Sequence, residues 1–593
     1  VSTVFTTRPE LSGDFGMVAG THWLAAAAGM SVLERGGNAF DAACAAGFTL
    51  QVVEPHLNGP AGEAPVLLWS EADQDVRVVC GQGVAPQAAT IEAFTALGLD
   101  LVPGTGLLAA TVPGAFGAWT TLLERWGSWE LADVLDYAIG YAERGWPMLP
   151  RIAAQLDAVA DMFRAQWPTS AATWLPDGAA PAVGGLGRSP GLAATYRRVL
   201  AESAGAASRE ARIAAARRVW YEGFVAEAID RFCADTTWPD TSGRSHSGLL
   251  RGADLAGWQP AVERPTSVDY HGHTVCKTGP WGQGPVLLQQ LRLVDALNLA
   301  GLAPGSADWI HTIVEAAKLA YADREAWYGD PDASEVPIAA LLSAEYAADR
   351  CGLVGPAASL ELRPGAPDGR TPRLPGPLAS TAGPQAAGIG EPTISPIGRV
   401  RGDTCHLDVV DRWGNMVSAT PSGGWLQSSP AIPDLGFCLG TRAQMFWLEP
   451  GLPTSLRPGT RPRTTLSPTL VLRGGEPWLA LGTPGGDQQD QWQTALLLSL
   501  LHGDAPFQQA IDAPTFHSLH MPSSFYPRRA EPGRLLVESR TDPAVRAELS
   551  ARGHLVDLAD PWSLGRLSLV AREGRRRFAA ADPRGGQAYA TGR

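Results

Sequence analysis

The chain has 593 residues, 45% hydrophobic and 18% charged, with a net charge of −13. That length buries a large core and leaves room for more than one domain, and the composition excludes bulk disorder. The acidic balance, with no basic stripe, argues against nucleic acid and anionic membrane as partners.

Residues 1–9 lack a basic region followed by an apolar core, so they do not read as a signal peptide, although a leader already removed stays open. No apolar run reaches about 18 residues, so no transmembrane helix is expected. The seven cysteines are scattered, without a CxxC pair. That pattern argues against a zinc site or a disulfide framework and favours a cytoplasmic setting.

An Ala-rich helix is expected over 24–35, stopped by Gly36-Gly37. Asn38 then caps a second helix over 39–50, whose small residues invite close packing. The loop from Glu54 to Gly62 leads into a buried strand at 65–69, and a second strand covers 76–80. Gly59 to Gly62 fits either a plain tight turn or a site loop. Helices follow over 115–124 and 131–143, and residues 151–240 read as mostly helical, including the Ala/Arg-rich span 208–227. A strand pair is expected over 266–277. His271 and His273 flank its turn Gly and are read as turn residues, so no metal site is expected. A helix over 285–299 precedes another over 309–327, whose His311, Glu315, Lys318, Tyr321, Asp323 and Arg324 suggest a structural polar network rather than a surface face.

Residues 355–401 hold nine prolines and no periodicity, which makes a long loop. It delivers the chain to Asp403-Thr404. From Thr404 the pattern becomes a strand, with a turn at 411–415 and a hairpin partner at 416–420. A Thr at this position is either an ordinary strand residue or the nucleophile of a hydrolase freed by cleavage after Asp403. The α-amine so released titrates near about 8 and can accept the proton of its own hydroxyl. Further on, a strand at 478–481 runs through Gly482-Thr483-Pro484-Gly485-Gly486 into a helix over 488–502. Adjacent glycines at such a junction leave N–H groups for an oxyanion, or simply start a helix. A closing hairpin is expected at 566–571 and 577–581. No GxSxG, HExxH, P-loop or dinucleotide fingerprint occurs.

Several blocks in this order resemble the γ-glutamyltranspeptidase family of N-terminal-nucleophile hydrolases: Gly36-Gly37-Asn38-Ala39-Phe40-Asp41-Ala42-Ala43, Val53-Glu54-Pro55-His56, Val112-Pro113-Gly114, Glu315 to Arg324 with Gly329-Asp330-Pro331, Thr404 to Asn415, and Gly482 to Gly486. The resemblance implies an α+β fold, a four-layer αββα sandwich made as one precursor. It implies cleavage at Asp403/Thr404 into a large subunit (1–403, with a processing loop about 355–403) and a small subunit (404–593). Thr404 is then the nucleophile, Ser422 the hydroxyl that supports it, and Gly485 and Gly486 the oxyanion donors.

The substrate-reading positions depart from the family. Its carboxylate-gripping arginine falls at Gln82, its amine-gripping acid near Gln444 or Met445, a supporting Asn at Gly424, and its paired serines at Thr464 and Thr465. Arg442 lies nearby as a replacement cation. The expectation is therefore a self-processing amidohydrolase acting on a small-molecule amide through an acyl-threonine, without cofactor or metal. True γ-glutamyl transfer and a non-processing ligand-binding relative are the alternatives, and self-association is left open.

Overall fold

The computed structural model describes residues 5–376, 404–503 and 505–593, and the backbone of the paired strands Thr393–Ile394 and Val400–Arg401. Asp403 and most of the expected processing loop lie outside the described residues.

Two seven-stranded antiparallel sheets face each other. The first runs Tyr589–Gly592, Met17–Gly20, Leu407–Val410, Met416–Ala419, Val66–Ser70, Asp75–Cys80, Ala261–Glu263. The second runs Leu11–Gly13, Arg576–Ala581, Ser568–Glu573, Glu476–Gly482, Thr469–Arg473, His273–Lys277, Thr266–Tyr270. Strand alternation divides the apolar side chains between two interfaces. Met17, Ala19, Leu67, Trp69, Val410 and Met416 meet Cys276, Leu470, Ala480, Val570 and Ala579 between the sheets. Val18, Leu407, Val409 and Val417 face outward, into a core shared with the helices Trp23–Glu34, Ala39–Val53, Ala115–Trp126 and Leu131–Arg144. The helices Pro285–Ala296, Ala307–Trp327 and Gln489–His502 cover the second sheet. This is the expected four-layer αββα sandwich.

Local chemistry explains why the first helices sit where they do. The Asn38 side chain accepts from Phe40 and Asp41 N–H, and Asp41 returns a bond from Asn38 N–H, a capping box. Asp411 accepts from Trp413, Gly414 and Asn415 N–H with one oxygen and from Ala39 N–H with the other. One carboxylate thus closes the hairpin turn and docks the second helix on it. Gly47 lies so close to Trp119 that a Cβ would sit 2.5 Å from the ring, so the run of small residues does set the packing distance.

The sequence expectation differs from the structure in two helices. The span 208–227 is two helices, Arg209–Tyr221 and Phe224–Asp235, because Gly223 leaves helical geometry. The helix from Pro285 ends at Ala296, where Asn298 turns left-handed (φ 54°). Among the described residues, no helix is long and apolar enough to cross a membrane. All seven cysteines are free.

Candidate active site

Thr404 lies three residues before Leu407–Val410, an interior strand of the first sheet. It pairs with Ser422 in an antiparallel bridge, and Cys405 N–H donates to Pro421 O (2.9 Å). Its Oγ1 donates to Ser422 Oγ at 3.3 Å, and both residues are buried. Ser422 is held in turn by Glu63, through Ser422 N–H to Glu63 O (2.9 Å) and Glu63 N–H to Ser422 O (2.7 Å). The glycines of the preceding loop make this approach possible: a Cβ on Gly62 would sit 2.0 Å from Ser422 O. The loop 59–62 is therefore a site wall and not only a turn.

Beneath Thr404, His406 bridges Thr420 Oγ1 (2.9 Å) and Asp408 Oδ1 (2.9 Å), and Ser568 Oγ donates to Asp408 Oδ2 (3.0 Å). All four are buried, so these polar groups satisfy one another and tie the strand that follows Thr404 to the facing sheet. Sequence reasoning passed over this pair. Its signal was there: a His and an Asp two apart on one face of an otherwise apolar strand. On the other face, Glu54 accepts from Thr21 Oγ1 (2.8 Å), Cys405 Sγ (2.9 Å) and Gln587 Nε2. Burial pushes its carboxyl upward, against these hydrogen bonds.

Gly482 ends its strand directly on the His406 ring, where a Cβ would lie 2.2 Å from Cε1. The loop 483–486 therefore starts at the Thr404 end of the sheets. Gly485 has φ +114°, and a Cβ there would meet Trp492 at 2.4 Å, so both backbone and space require glycine. The loop is pinned on each side. Thr483 Oγ1 accepts from Arg566 N–H (3.1 Å), and Gly486 O accepts from Gln283 Nε2 (3.2 Å). Asp487 takes Arg324 and Ser524 (Oγ, 2.6 Å; N–H, 2.8 Å). Burial raises the Asp487 carboxyl, but Arg324 and the other bonds hold it below its ordinary range. Arg324 also pairs with Glu325, which pairs with Arg463. The polar face of the helix Ala307–Trp327 is thus a buried network that braces this loop.

The substrate-reading positions divide. Arg442 Nη2 donates both to Glu63 Oε2 and to Ser422 Oγ, each at 3.1 Å, with the guanidinium near the faces of Trp425 and Phe525. Glu63 and Arg442 are 1% and 2% exposed, so this cation already has a buried counter-charge. Gln82 bonds to the neighbouring Gly83 O (3.2 Å) and lines a cavity of about 400 Å³ with Asp330, Trp258 and Arg461; Thr404 and Ser422 are not among its walls. The Gln444 amide donates to Gly104 O and Thr441 Oγ1 and accepts from Tyr526 N–H. Thr464 Oγ1 accepts from Leu466 N–H (3.3 Å), whereas Thr465 Oγ1 is buried without a hydrogen-bond partner. The structure therefore brings Ser422 to Thr404 and Arg442 to Ser422, starts the 483–486 loop beside His406, and turns Gln82 and Gln444 to other bonds.

Among the described residues, one trio could offer a metal three ligands: His311, Glu315 and His554. Lys318 Nζ lies 2.5 Å and Arg363 3.3 Å from the Glu315 carboxylate, and His311 Nδ1 is 2.9 Å from His554 Nε2. Cations already fill the carboxylate, so the trio reads as structure. His271 contacts Asp295 (3.1 Å) and His273 contacts Arg473 (3.2 Å), which separates their roles.

A family model described as gamma-glutamyltranspeptidase matches residues 25–592. The Acylase ACY 1 proenzyme of Pseudomonas sp. (strain SE83) is 30% identical over 576 residues, 95% of this chain and 91% of that protein. The solved structure of LmbA2991HD is 56% identical with a TM-score of 0.93, covering all of both chains. The cephalosporin acylase of Bacillus halodurans is 28% identical with a TM-score of 0.81, covering 100% of this chain and 98% of its own. The chain belongs to the gamma-glutamyltranspeptidase family.

Proposed function

We propose that the protein is a self-processing amidohydrolase whose nucleophile is Thr404. In the precursor, Thr404 Oγ1 attacks the carbonyl carbon of Asp403, and the peptide C–N bond gives way to an ester. Water hydrolyses that ester, leaving residues 1–403 with a terminal carboxylate and 404–593 with a free α-amine. In the processed enzyme this amine takes the proton from Oγ1 as the oxygen attacks a substrate amide. The N–H groups of Gly485 and Gly486 hold the oxyanion. The amine passes the proton to the leaving nitrogen, and water releases the acyl group from Thr404. The observation that carries this reading is the bridge between Thr404 and Ser422, with the hydroxyls 3.3 Å apart, beside the loop that Gly482 seats on His406.

The acyl group is not read as a γ-glutamyl zwitterion. The family's charged grips fall at Gln82, Gln444 and Met445, and Glu63 neutralises Arg442. Each lost charge-assisted contact removes about 1.5–3 kcal/mol. The names of the acylase relatives support a different acyl group. Intact mass and N-terminal sequencing of wild type and Thr404→Ala test the nucleophile. Wild type is expected as two chains, one beginning at Thr404, and the variant as one. A wild type that stays whole after long incubation refutes the assignment. γ-Glutamyl anilide is expected to turn over at least about tenfold more slowly than the best simple acyl anilide.

A further inference from the structure

Three turns meet at the end of the sandwich away from Thr404. The segment 411–415 closes the hairpin of Leu407–Val410 and Met416–Ala419, 573–576 closes that of Ser568–Glu573 and Arg576–Ala581, and 14–16 joins Leu11–Gly13 to Met17–Gly20. Val410 faces both Met17 and Met416, and Gly13 faces Arg577, so turns from both sheets share one edge. Between them lies a cavity of about 550 Å³. Its walls carry four arginines, Arg412, Arg572, Arg575 and Arg577, against one carboxylate, Asp14.

The charge at this cavity is not balanced from within. Arg577 is 4% exposed, and its guanidinium donates to backbone oxygens: Nε to Asp411 O (3.0 Å), Nη1 to Gly574 O (3.0 Å) and Arg576 O (3.3 Å), and Nη2 to Arg412 O (3.3 Å). Among the described residues Arg572 has carboxylate partners, Glu71 (3.0 Å) and Glu476 (3.9 Å), whereas Arg412, Arg575 and Arg577 have none. Arg577 also pairs directly across the hairpin from Arg572, which puts two like charges on one face of the sheet. Burial and then Arg572 lower the Arg577 pKa, while Asp411, Glu71 and Asp14 pull it back. A nearly buried cation opposite another cation is costly unless an anion joins them. Arg412 and Arg575 are exposed, so their guanidinium groups can turn toward such an anion. Arg412 lies over the Trp413 ring (4.3 Å), which supports the guanidinium without neutralising it. In a chain of net charge −13 this is a local reversal of sign. A long polyanion would meet the repulsion of the surrounding surface, whereas a small one can enter a cavity of this size.

We propose that this cavity binds a small polyanion, a molecule carrying two or more phosphate or carboxylate groups, held by Arg412, Arg575 and Arg577. Both groups accept the paired N–H bonds of a guanidinium, so either fits the same walls. The site makes no use of Thr404 and stands whether or not that residue is the nucleophile.

Arg577 ties two turns together, so the test removes the exposed pair instead. Isothermal titration uses inorganic pyrophosphate and tricarballylate as probes. It compares wild type, the double variant Arg412→Gln/Arg575→Gln, and a charge-matched control at two exposed arginines outside the cavity, Arg188→Gln/Arg218→Gln. Wild type is expected to bind at least one probe, one to one, with a Kd of about 1 mM or tighter at low salt. The cavity double variant is expected to weaken that binding at least about tenfold, and the control less than about twofold. Binding of pyrophosphate alone, of tricarballylate alone, or of both identifies phosphate, carboxylate or charge as what is read, each in support of the site. Failure of both probes to bind more tightly than about 10 mM, or equal losses in the two double variants, overturns it. Thr404→Ala is expected to bind as wild type does. Binding that vanishes in that variant would put the anion at Thr404 and overturn the cavity as its site.

Discussion

The pairing of Glu63 with Arg442 can be weighed by a double-mutant cycle. Both groups are almost fully buried, and the guanidinium also donates to Ser422 Oγ. Glu63→Gln keeps the shape but leaves Arg442 buried without its counter-charge, which costs about 3–5 kcal/mol. Unfolding a 593-residue chain carries an entropy of about 1.2 kcal/mol/K from about 2.1 cal/mol/K per residue. The expected fall in Tm is therefore about 2–4 °C. Arg442→Met should cost a similar amount, because it strands Glu63. Glu63→Gln combined with Arg442→Met removes both charges and should recover most of the loss, as neutral replacements of buried pairs do. Calorimetry in a Thr404→Ala background keeps every variant as one unprocessed chain. Additive losses in the double variant would refute the coupling. In the wild-type background the single variants should also slow autocleavage, since Ser422 loses an ordered partner.

Gly485→Ala should reduce autocleavage and turnover by at least about a hundredfold, because the positive φ and the Trp492 ring both oppose a Cβ and would displace the proposed oxyanion donor; near-normal processing on a denaturing gel over time would refute that role. His517 is buried edge-on to Trp492, and burial lowers its pKa to about 3 from an ordinary 6.5. Its neutral form is the one that fits, so its contribution is present above pH 6.5 and is lost as pH falls toward 3. Over that window His517→Phe should flatten the pH dependence of stability by one proton, about 1.4 kcal/mol per pH unit. Equal slopes in denaturant titrations of the two proteins at pH 4–6 would exclude it.

The parts of the fold that read correctly from sequence are those made by neighbours in the chain. Asn38 and Asp41 form their capping box within four residues, and the hairpin after Thr404 closes through Asp411. The strands Met17–Gly20 and Tyr589–Gly592 escaped notice because four small or apolar residues make no period on their own. Their identity comes from pairing with each other and, for Met17–Gly20, with Leu407–Val410. The site divides in the same way. Thr404, Ser422 and the Gly485-Gly486 loop carried local or family signals. The Glu63–Arg442 pair joins residues hundreds of positions apart. Gln82 and Gln444, where the resemblance would put charged grips, each bond to backbone.

In the first sheet the strands Leu407–Val410 and Met416–Ala419 are inserted between Met17–Gly20 and Val66–Ser70, and Tyr589–Gly592 borders the other edge of Met17–Gly20. In the second sheet four strands from after residue 404 lie between Leu11–Gly13 on one side and His273–Lys277 with Thr266–Tyr270 on the other. Cutting the chain at that point leaves two products braided through both cores, so neither can leave without dismantling the sheets. The processed enzyme should behave as one cooperative unit in native separations and as two bands only after denaturation. Its refolding should change character, because bringing the halves back together becomes a second-order event. Recovery from denaturant should then rise with protein concentration for the cut form and be nearly independent of it for the Thr404→Ala precursor. Cleavage before Thr404 would thus turn assembly from a first-order into a second-order event, while the braid would hold the new amine in place.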